Sequence, residues 1–512
     1  MNKEQIVKKS LSATKYTVVF RVLSQATSLV VTVLLVRALS EHDYGIYNLL
    51  YSVIGLLGMV ASFGLANTLQ RYIPEYYIKG EFRIANNLYR VASIIRLFSN
   101  VVILGLGLIF WELIASYLKI FAYKNYFMLF TLIVLLHMQR GLLETCLGSY
   151  FLQKYSQGFS FVFVLIKAVG YALAVMTEMD LWFILIIDLL AYSIIFGILQ
   201  IIYYKKIPTS KGHKQSINRD EKRRLIRYAL FYNFNDTGVG LLNADFDNFI
   251  IVMYLNPVAV GAYSFCQRIT RMIRRLIPVN YLLDVIRPAF FSLGSLTDTQ
   301  QINQFYQSLI KLNYLFNIPI FFFIAVFGEE FIKLLFGGKF LEYCHVLTVV
   351  YFFSMINAFQ MPVGLVAQLK EKSDIILYSK VFAVYNLIAD ILLIKYFGIW
   401  GAVFATGTAI LGKNIFIWYF VRNEANFRGM GKYFLISTLF WGSVSTIALV
   451  IKCFILNDLA VFIICLIMFT VSFVLQFRCN LFNQYEKKAI ELIANKNSKL
   501  SFIAKFLGIQ IA

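Results

Sequence analysis

Apolar residues arrive in this chain in blocks of about twenty, the length an α-helix needs to cross a hydrocarbon core of about 30 Å. The blocks recur along nearly all of the 512 residues, separated by short polar breaks. A segment that crosses lipid must satisfy its backbone N–H and C=O groups internally, so blocks of this length fold as helices. The pattern places spans at about 16–36, 45–68, 91–113, 125–147, 159–178, 181–203, 228–254, 258–290, 306–335, 343–368, 375–397, 400–421, 433–453 and 456–477. The expected fold is therefore an all-α polytopic membrane protein with about 14 transmembrane helices. The irregular block is 258–290, which carries Arg268, Arg271, Arg274 and Arg275 and holds Pro278 and Pro288, residues able to kink a helix. At 59% hydrophobic and 15% charged residues, the chain leaves little room for a soluble domain.

A formal net charge of +21 could mean phosphate neutralisation on a nucleic acid. The distribution says otherwise. Of 48 Lys and Arg, 35 fall in the N-terminal segment, in alternate loops and in the segment after 478, whereas the opposite loops hold seven. Lys and Arg collect on the inner side of a membrane, so this asymmetry predicts both termini in the cytoplasm of a cell membrane and no nucleic-acid partner.

An internal repeat organises the spans. LVRALSEHDYGIYNLL (35–50) overlays VMYLNPVAVGAYSFCQ (252–267), pairing Gly45 with Gly261 and Tyr47 with Tyr263, and the same offset brings SYLKIF (116–121) onto IKLLFG (332–337). Six spans per copy preserve orientation, which gives two parallel halves. The division is a six-helix lobe at 1–204, a basic linker at 205–227, a second six-helix lobe at 228–421, two further helices within 433–477 and a basic tail at 478–512. That tail reads either as an interfacial amphipathic helix or as a frayed basic end.

Polar groups inside spans are costly and face a partner or a water-filled cavity. Arg21, Gln25, Ser28 and Thr32 make one stripe of the first span, and Asn233, Asp236, Gly240, Asn243 and Asp247 make a matching stripe of the seventh. His137, Arg140 and Glu144 share a face of the fourth, where Arg140 and Glu144 are also spaced for an i,i+4 ion pair. Arg96, Lys167 and Arg268 add cations. Together Arg21, Gln25, Arg96, Arg140, Lys167 and Arg268 are the candidate substrate-binding residues, because a cavity lined by them suits an anion such as a phosphate headgroup. Glu144, Asp188, Asp247 and Asp390 (Asn386 lies one turn before it) are the carboxylates available to a coupling ion.

Enzyme signatures are absent. Gly337-Gly338-Lys339 lacks the upstream glycine and following hydroxyl of a phosphate-binding loop, and neither HExxH nor GxSxG occurs. Four scattered histidines and six cysteines without a CxxC pair give no metal site and no disulfide framework. No catalysis and no cofactor are expected.

Several short runs carry a resemblance. Leu39-Ser40 with Tyr44-Gly45-Ile46-Tyr47, then Gly64-Leu65, then Arg71-Tyr72-Ile73-Pro74-Glu75, resemble the polysaccharide-biosynthesis flippases of the Wzx type, within the multidrug/oligosaccharidyl-lipid/polysaccharide exporter superfamily. Asp247, Gly261-Ala262-Tyr263, LLFGGKFLEY (334–343) and FGIWGAVFAT (397–406) follow in the same order along nearly the whole chain. The resemblance implies two six-helix lobes forming a V around a central cavity, alternating access and two extra C-terminal helices. It implies a substrate, an undecaprenyl-pyrophosphate-linked oligosaccharide moved from the inner to the outer leaflet for O-antigen, capsule or exopolysaccharide assembly. Membrane lipid, a coupling H+ or Na+, and a polysaccharide polymerase with chain-length proteins are the further partners it suggests. The alternative is a cation-coupled multidrug exporter of the MATE type, which would need a carboxylate-rich pocket.

Overall fold

A computed structural model describes residues 3–207, 218–240, 244–277, 299–370, 372–455 and 457–478. Among the described residues the long elements are all α-helices: α1 Lys3–Ala38, α2 Glu41–Val60, α3 Leu65–Lys79, α4 Phe82–Ile109, α5 Trp111–Leu118, α6 Lys124–Ser149, α7 Gln153–Met176, α8 Leu181–Lys206, α9 Arg219–Gly240 and α10 Ala244–Tyr254. They continue as α11 Pro257–Leu276, α12 Thr299–Phe336, α13 Cys344–Ala358, α14 Gln360–Leu369, α15 Ser373–Tyr378, α16 Val381–Phe397, α17 Ile399–Val421, α18 Gly431–Phe454 and α19 Asp458–Arg478. Local sequence sets several starts. Ser40 caps α2 by accepting from the Asp43 N–H at 3.0 Å, and Asp180 caps α8 by accepting from the Phe183 N–H at 3.3 Å.

Twelve helices among the described residues are long and apolar enough to cross a membrane, and the chain is a multi-pass membrane protein. The segments expected as spans at 228–254 and 258–290 are not among the twelve. The first is described as α9, which opens on the polar run RDEKRRLIR, and the 11-residue α10, with 241–243 outside the described residues. The second is described only as far as 277, and α11 ends on Arg274 and Arg275. Asn243 and the tail beyond 478 lie outside the described residues, as does the side chain of Asp236. Large apolar side chains such as Phe98, Ile109, Met176, Leu439 and Phe454 remain exposed, which suits a lipid-facing surface and would aggregate a soluble protein.

By contact, the chain falls into two compact units, Met1–Ser264 with Asp390–Gly398, and Phe265–Ala389 with Ile399–Ala512. In the first unit Tyr72, Tyr76, Tyr89, Tyr150 and Tyr203 pack with Leu142, Leu143 and Leu147 of α6 and Leu225 of α9. Two glycines allow backbones in this unit to touch. A Cβ on Gly45 would fall 1.8 Å from the Pro257 carbonyl oxygen and 3.3 Å from the Gly261 nitrogen, so the glycines paired by the repeat face each other. A Cβ on Gly64, at φ +60°, would fall 2.1 Å from the Ala229 carbonyl oxygen. Without a large hydrophobic gain between helices in lipid, such small-residue contacts are what permit close packing. The second unit is built on α12, with Phe327, Trp441 and Phe469 at its centre. There Trp441 Nε1 donates to Gln476 Oε1 at 2.8 Å, and Gln476 Nε2 donates to Ser437 Oγ at 2.9 Å.

Candidate functional site

Four helices of the first unit place polar side chains in pairs, one turn apart, around a buried centre. Tyr47 and Tyr51 come from α2, Arg140 and Glu144 from α6, Lys167 and Tyr171 from α7, and Asp188 and Tyr192 from α8. Asp188 is 0% exposed and sits 2.8 Å from Lys167 Nζ. Its Oδ1 accepts from the Tyr171 hydroxyl at 2.7 Å, and its Oδ2 accepts from Tyr47 at 3.0 Å and also from Tyr51. One ammonium and three hydroxyls donate to one carboxylate, a donor set that satisfies the ionised form in a setting where an unpaired charge would be prohibitive. Lys167 Nζ also lies 5.2 Å from the Tyr171 ring centre and 5.6 Å from those of Tyr51 and Phe163.

Beside this centre Arg140 forms the i,i+4 pair expected from its spacing. Its Nε donates to Glu144 Oε1 at 2.8 Å, its Nη2 donates to Ser160 Oγ at 3.2 Å, and Ser160 Oγ donates back to Glu144 Oε1 at 2.8 Å. The guanidinium stacks 3.9 Å over Phe163, the ring that Lys167 also approaches. His137 Nδ1 and the Tyr192 hydroxyl are 2.9 Å apart, and Arg140, Lys167 and Arg96 all act electrostatically on that imidazole.

A second buried centre lies in the same unit. Asp247 of α10 and Asp390 of α16 are both 0% exposed and lie close enough to act on each other. The Tyr263 hydroxyl donates to Asp247 Oδ2 at 2.6 Å. Next to it Asn248 Nδ2 donates to Ser52 Oγ at 2.9 Å and Asn248 Oδ1 accepts from Ser264 Oγ at 3.2 Å. Two carboxyl groups can share a hydrogen bond only when one holds a proton. A cation placed between them would serve the same end. The repeat is visible here as chemistry, because Tyr47 and Tyr263 each donate to a fully buried aspartate.

The remaining candidates are more dispersed. Arg21 is exposed on α1, with Gln25 half-buried one turn later. Arg96 is half-buried on α4 with its Nη2 3.2 Å from Met138 Sδ, and Arg268 is half-buried on α11 in the second unit. The sequence reading missed Tyr47, Tyr51, Tyr171, Tyr192 and Ser160 as members of the site. A usable signal existed in the i,i+4 pairing of tyrosine with tyrosine, lysine or aspartate in three spans.

This arrangement is an all-helical membrane-spanning fold with ion pairs set among its helices. The structure of the lipid II flippase MurJ, in an inward closed conformation, matches it with a TM-score of 0.64 at 13% identity, covering 90% of this chain and 97% of that one. An inward-facing multidrug resistance MATE family transporter matches with a TM-score of 0.61 at 13% identity, covering 80% of this chain and 98% of that one. In sequence, the probable low-salt glycan biosynthesis flippase Agl15 of Haloferax volcanii is 23% identical over 414 residues, 80% of this chain and 82% of that protein. Residues 34–345 match the model of the polysaccharide biosynthesis protein family. The chain belongs to that family.

Proposed function

We propose that this protein is a flippase that carries an undecaprenyl-pyrophosphate-linked oligosaccharide from the inner to the outer leaflet for surface polysaccharide assembly. It works by alternating access between two six-helix lobes, with both termini in the cytoplasm. The observation that carries the reading is the pair of ion pairs buried in membrane helices, Arg140 with Glu144 and Lys167 with Asp188. Intramembrane charges are expensive, and they are kept where they handle a charged cargo. Because both cations already hold carboxylates, the diphosphate binds by exchange, taking Arg140 and Lys167 from their partners while Arg21, Arg96 and Arg268 supply further positive charge. The similarity to Agl15, a probable glycan biosynthesis flippase, and the family assignment support a glycan-bearing cargo.

The test is reconstitution of the full-length protein with a fluorescent undecaprenyl-diphosphate oligosaccharide, scoring its loss of protection from a reagent outside the vesicle. Wild type should expose the lipid, and R140A and R268A should not. In cells the same two variants should lose surface polysaccharide while remaining inserted. Normal polymer from both variants sinks the cationic-cavity reading.

A second reading, a cation-coupled drug exporter, draws on the Asp247–Asp390 pair, since a carboxylate centre suits H+, Na+ or a cationic drug. Drug susceptibility of a strain lacking the gene separates the two readings. Increased sensitivity with unchanged surface polysaccharide favours the exporter. Under the flippase reading the same pair is where an ion gradient couples to transport.

A further inference from the structure

The Arg71-Tyr72-Ile73-Pro74-Glu75 run of α3 takes no part in either buried centre, yet it gathers a charge cluster of its own. Glu75 accepts from Lys79 Nζ at 3.0 Å, Arg71 Nη1 at 3.1 Å and Arg224 Nη2 at 3.2 Å. Arg71 and Lys79 flank it by one turn on α3, whereas Arg224 reaches across from α9. Arg224 also donates from Nε to the Tyr72 hydroxyl at 3.3 Å and stands 5.0 Å over that ring, with Arg71 5.4 Å from the same ring. The Tyr72 and Tyr228 rings meet edge-on at 5.3 Å.

The three cationic side chains are 53%, 52% and 54% exposed, while Glu75 is 21% exposed. Three cations therefore share one carboxylate, with their charged ends open to solvent. The Lys and Arg asymmetry places the end of α3 and the start of α9 on the inner face. Topology alone asks only for positive charge there. It does not ask for two guanidiniums and an ammonium to converge on one acid and one tyrosine ring. That convergence is the donor set that grips phosphate oxygens, with arginine offering two parallel donors.

We propose that Arg71, Lys79 and Arg224 form a docking site on the inner membrane face for the phosphate headgroup of the lipid-linked substrate, with Glu75 as its internal competitor. The proposal rests on the flippase reading and adds where the cargo is first engaged and what that engagement does. Phosphate oxygens take the three cations from Glu75, and the contact between α3 and α9 loses its inner-face end. Farther along the same seam the turn before α3 meets α9 through Ser62 Oγ donating to Asn233 Oδ1 at 2.8 Å and through the backbone approach at Gly64, and these contacts open more often once that end is lost. Exposed ion pairs are individually weak, so a ligand of ordinary affinity can displace them. The same weakness lets the contact re-form after the cargo has left.

The ligand chemistry is a lipid phosphate, and two sources offer it, the diphosphate of the carrier and bulk anionic phospholipid. Binding of a fluorescent polyprenyl diphosphate without glycan is measured on the full-length protein in phosphatidylcholine nanodiscs. R224Q and R71Q should weaken it by about five- to thirty-fold, and E75Q should tighten it by several-fold, the size of effect one or two displaced charge contacts produce. Wild-type affinity in both R224Q and E75Q overturns the site. Competition by phosphatidylglycerol as strong as by unlabelled polyprenyl diphosphate overturns the substrate assignment.

A second arm uses S62C/N233C in a background with the native cysteines replaced. The probe should slow disulfide formation in that protein and leave the rate unchanged when R224Q is added. An unchanged rate without R224Q overturns the loosening of α3 from α9. Wild-type transport of the glycan-bearing lipid is scored in the same preparation. A protein that binds the probe through these residues without transporting that lipid refutes the flippase reading and leaves the docking site standing.

Discussion

Asp188 and Asp247 are both fully buried, and each accepts a hydroxyl from the tyrosine of a repeated Gly-x-Tyr, Tyr47 in one copy and Tyr263 in the other. They part company in their counter-charge. Asp188 meets the Lys167 ammonium and two further tyrosines. Asp247 has a second acid, Asp390, beside it. The shared Gly-x-Tyr supplies the same tyrosine donor to both aspartates, and what else faces each one differs. One centre sets an ammonium against its aspartate, and the other sets a second carboxyl beside it.

The largest expected effect breaks the Asp188 centre. Asp188→Ala leaves the Lys167 ammonium buried among rings with no carboxylate, and losing one partner of a buried pair costs about 3–5 kcal/mol. Thermal unfolding of the purified protein should show this as a markedly lower midpoint. The double variant K167M/D188L removes both charges and should recover much of the loss. If the double variant is as unstable as the sum of the singles, Lys167 and Asp188 are not coupled and the contrast with Asp247 fails.

The tyrosines sharpen the comparison at intermediate size. Tyr47→Phe leaves Asp188 with Lys167, Tyr51 and Tyr171, so about 0.5–1.5 kcal/mol is expected, the ordinary worth of one hydrogen bond. Tyr263→Phe removes a hydroxyl donor from a centre already holding two acids. It should cost more, about 1–3 kcal/mol, as for a buried acceptor stripped of a partner. Equal midpoints for the two variants would mean that the neighbouring tyrosines of Asp188 do not share its load.

Asp390→Asn should disturb stability least among the buried changes, under about 1 kcal/mol, because the amide can donate to Asp247 as a protonated carboxyl does. Its effect belongs to transport. Flipping by wild-type vesicles should depend on the external pH or sodium level, and flipping by D390N should not. A D390N protein that keeps the wild-type dependence removes this centre from ion coupling.

These centres were unevenly legible from sequence. Spans and orientation need only a local window, because apolar length and loop charge are properties of contiguous residues. Arg140 with Glu144 was legible for the same reason, since i,i+4 spacing on one helix dictates the pair. Lys167 with Asp188 was not, because the partners sit on neighbouring spans and nothing in either span sets their heights in the membrane. The tyrosines escaped because a Tyr in a membrane helix reads as packing or an interfacial anchor until a buried acid is placed against it. Asp247 and Asp390 were each recognised as intramembrane acids, but their meeting depends on α10 and α16 coming together, which no periodicity encodes.

The smallest effect comes from the exposed carboxylate that contrasts with both buried ones. Glu75 is held below its ordinary value chiefly by the hydrogen bond from Lys79; burial opposes this next, and the charges of Lys79, Arg224 and Arg71 each add a smaller lowering effect. A carboxyl lowered on folding contributes stability that is complete above its unfolded value of about 4.3 and is lost as pH falls through the folded value. From neutral pH down to about 5 the wild-type and E75Q unfolding midpoints should therefore run parallel. Below about 4 the wild type should fall toward E75Q, because protonation of Glu75 erases the difference between them. Added salt should shrink the gap at neutral pH, since these charges lie where ions screen them. A gap that persists in acid would mean that Glu75 acts there through packing, and the Glu75 cluster would then lack the exchangeable character proposed for it.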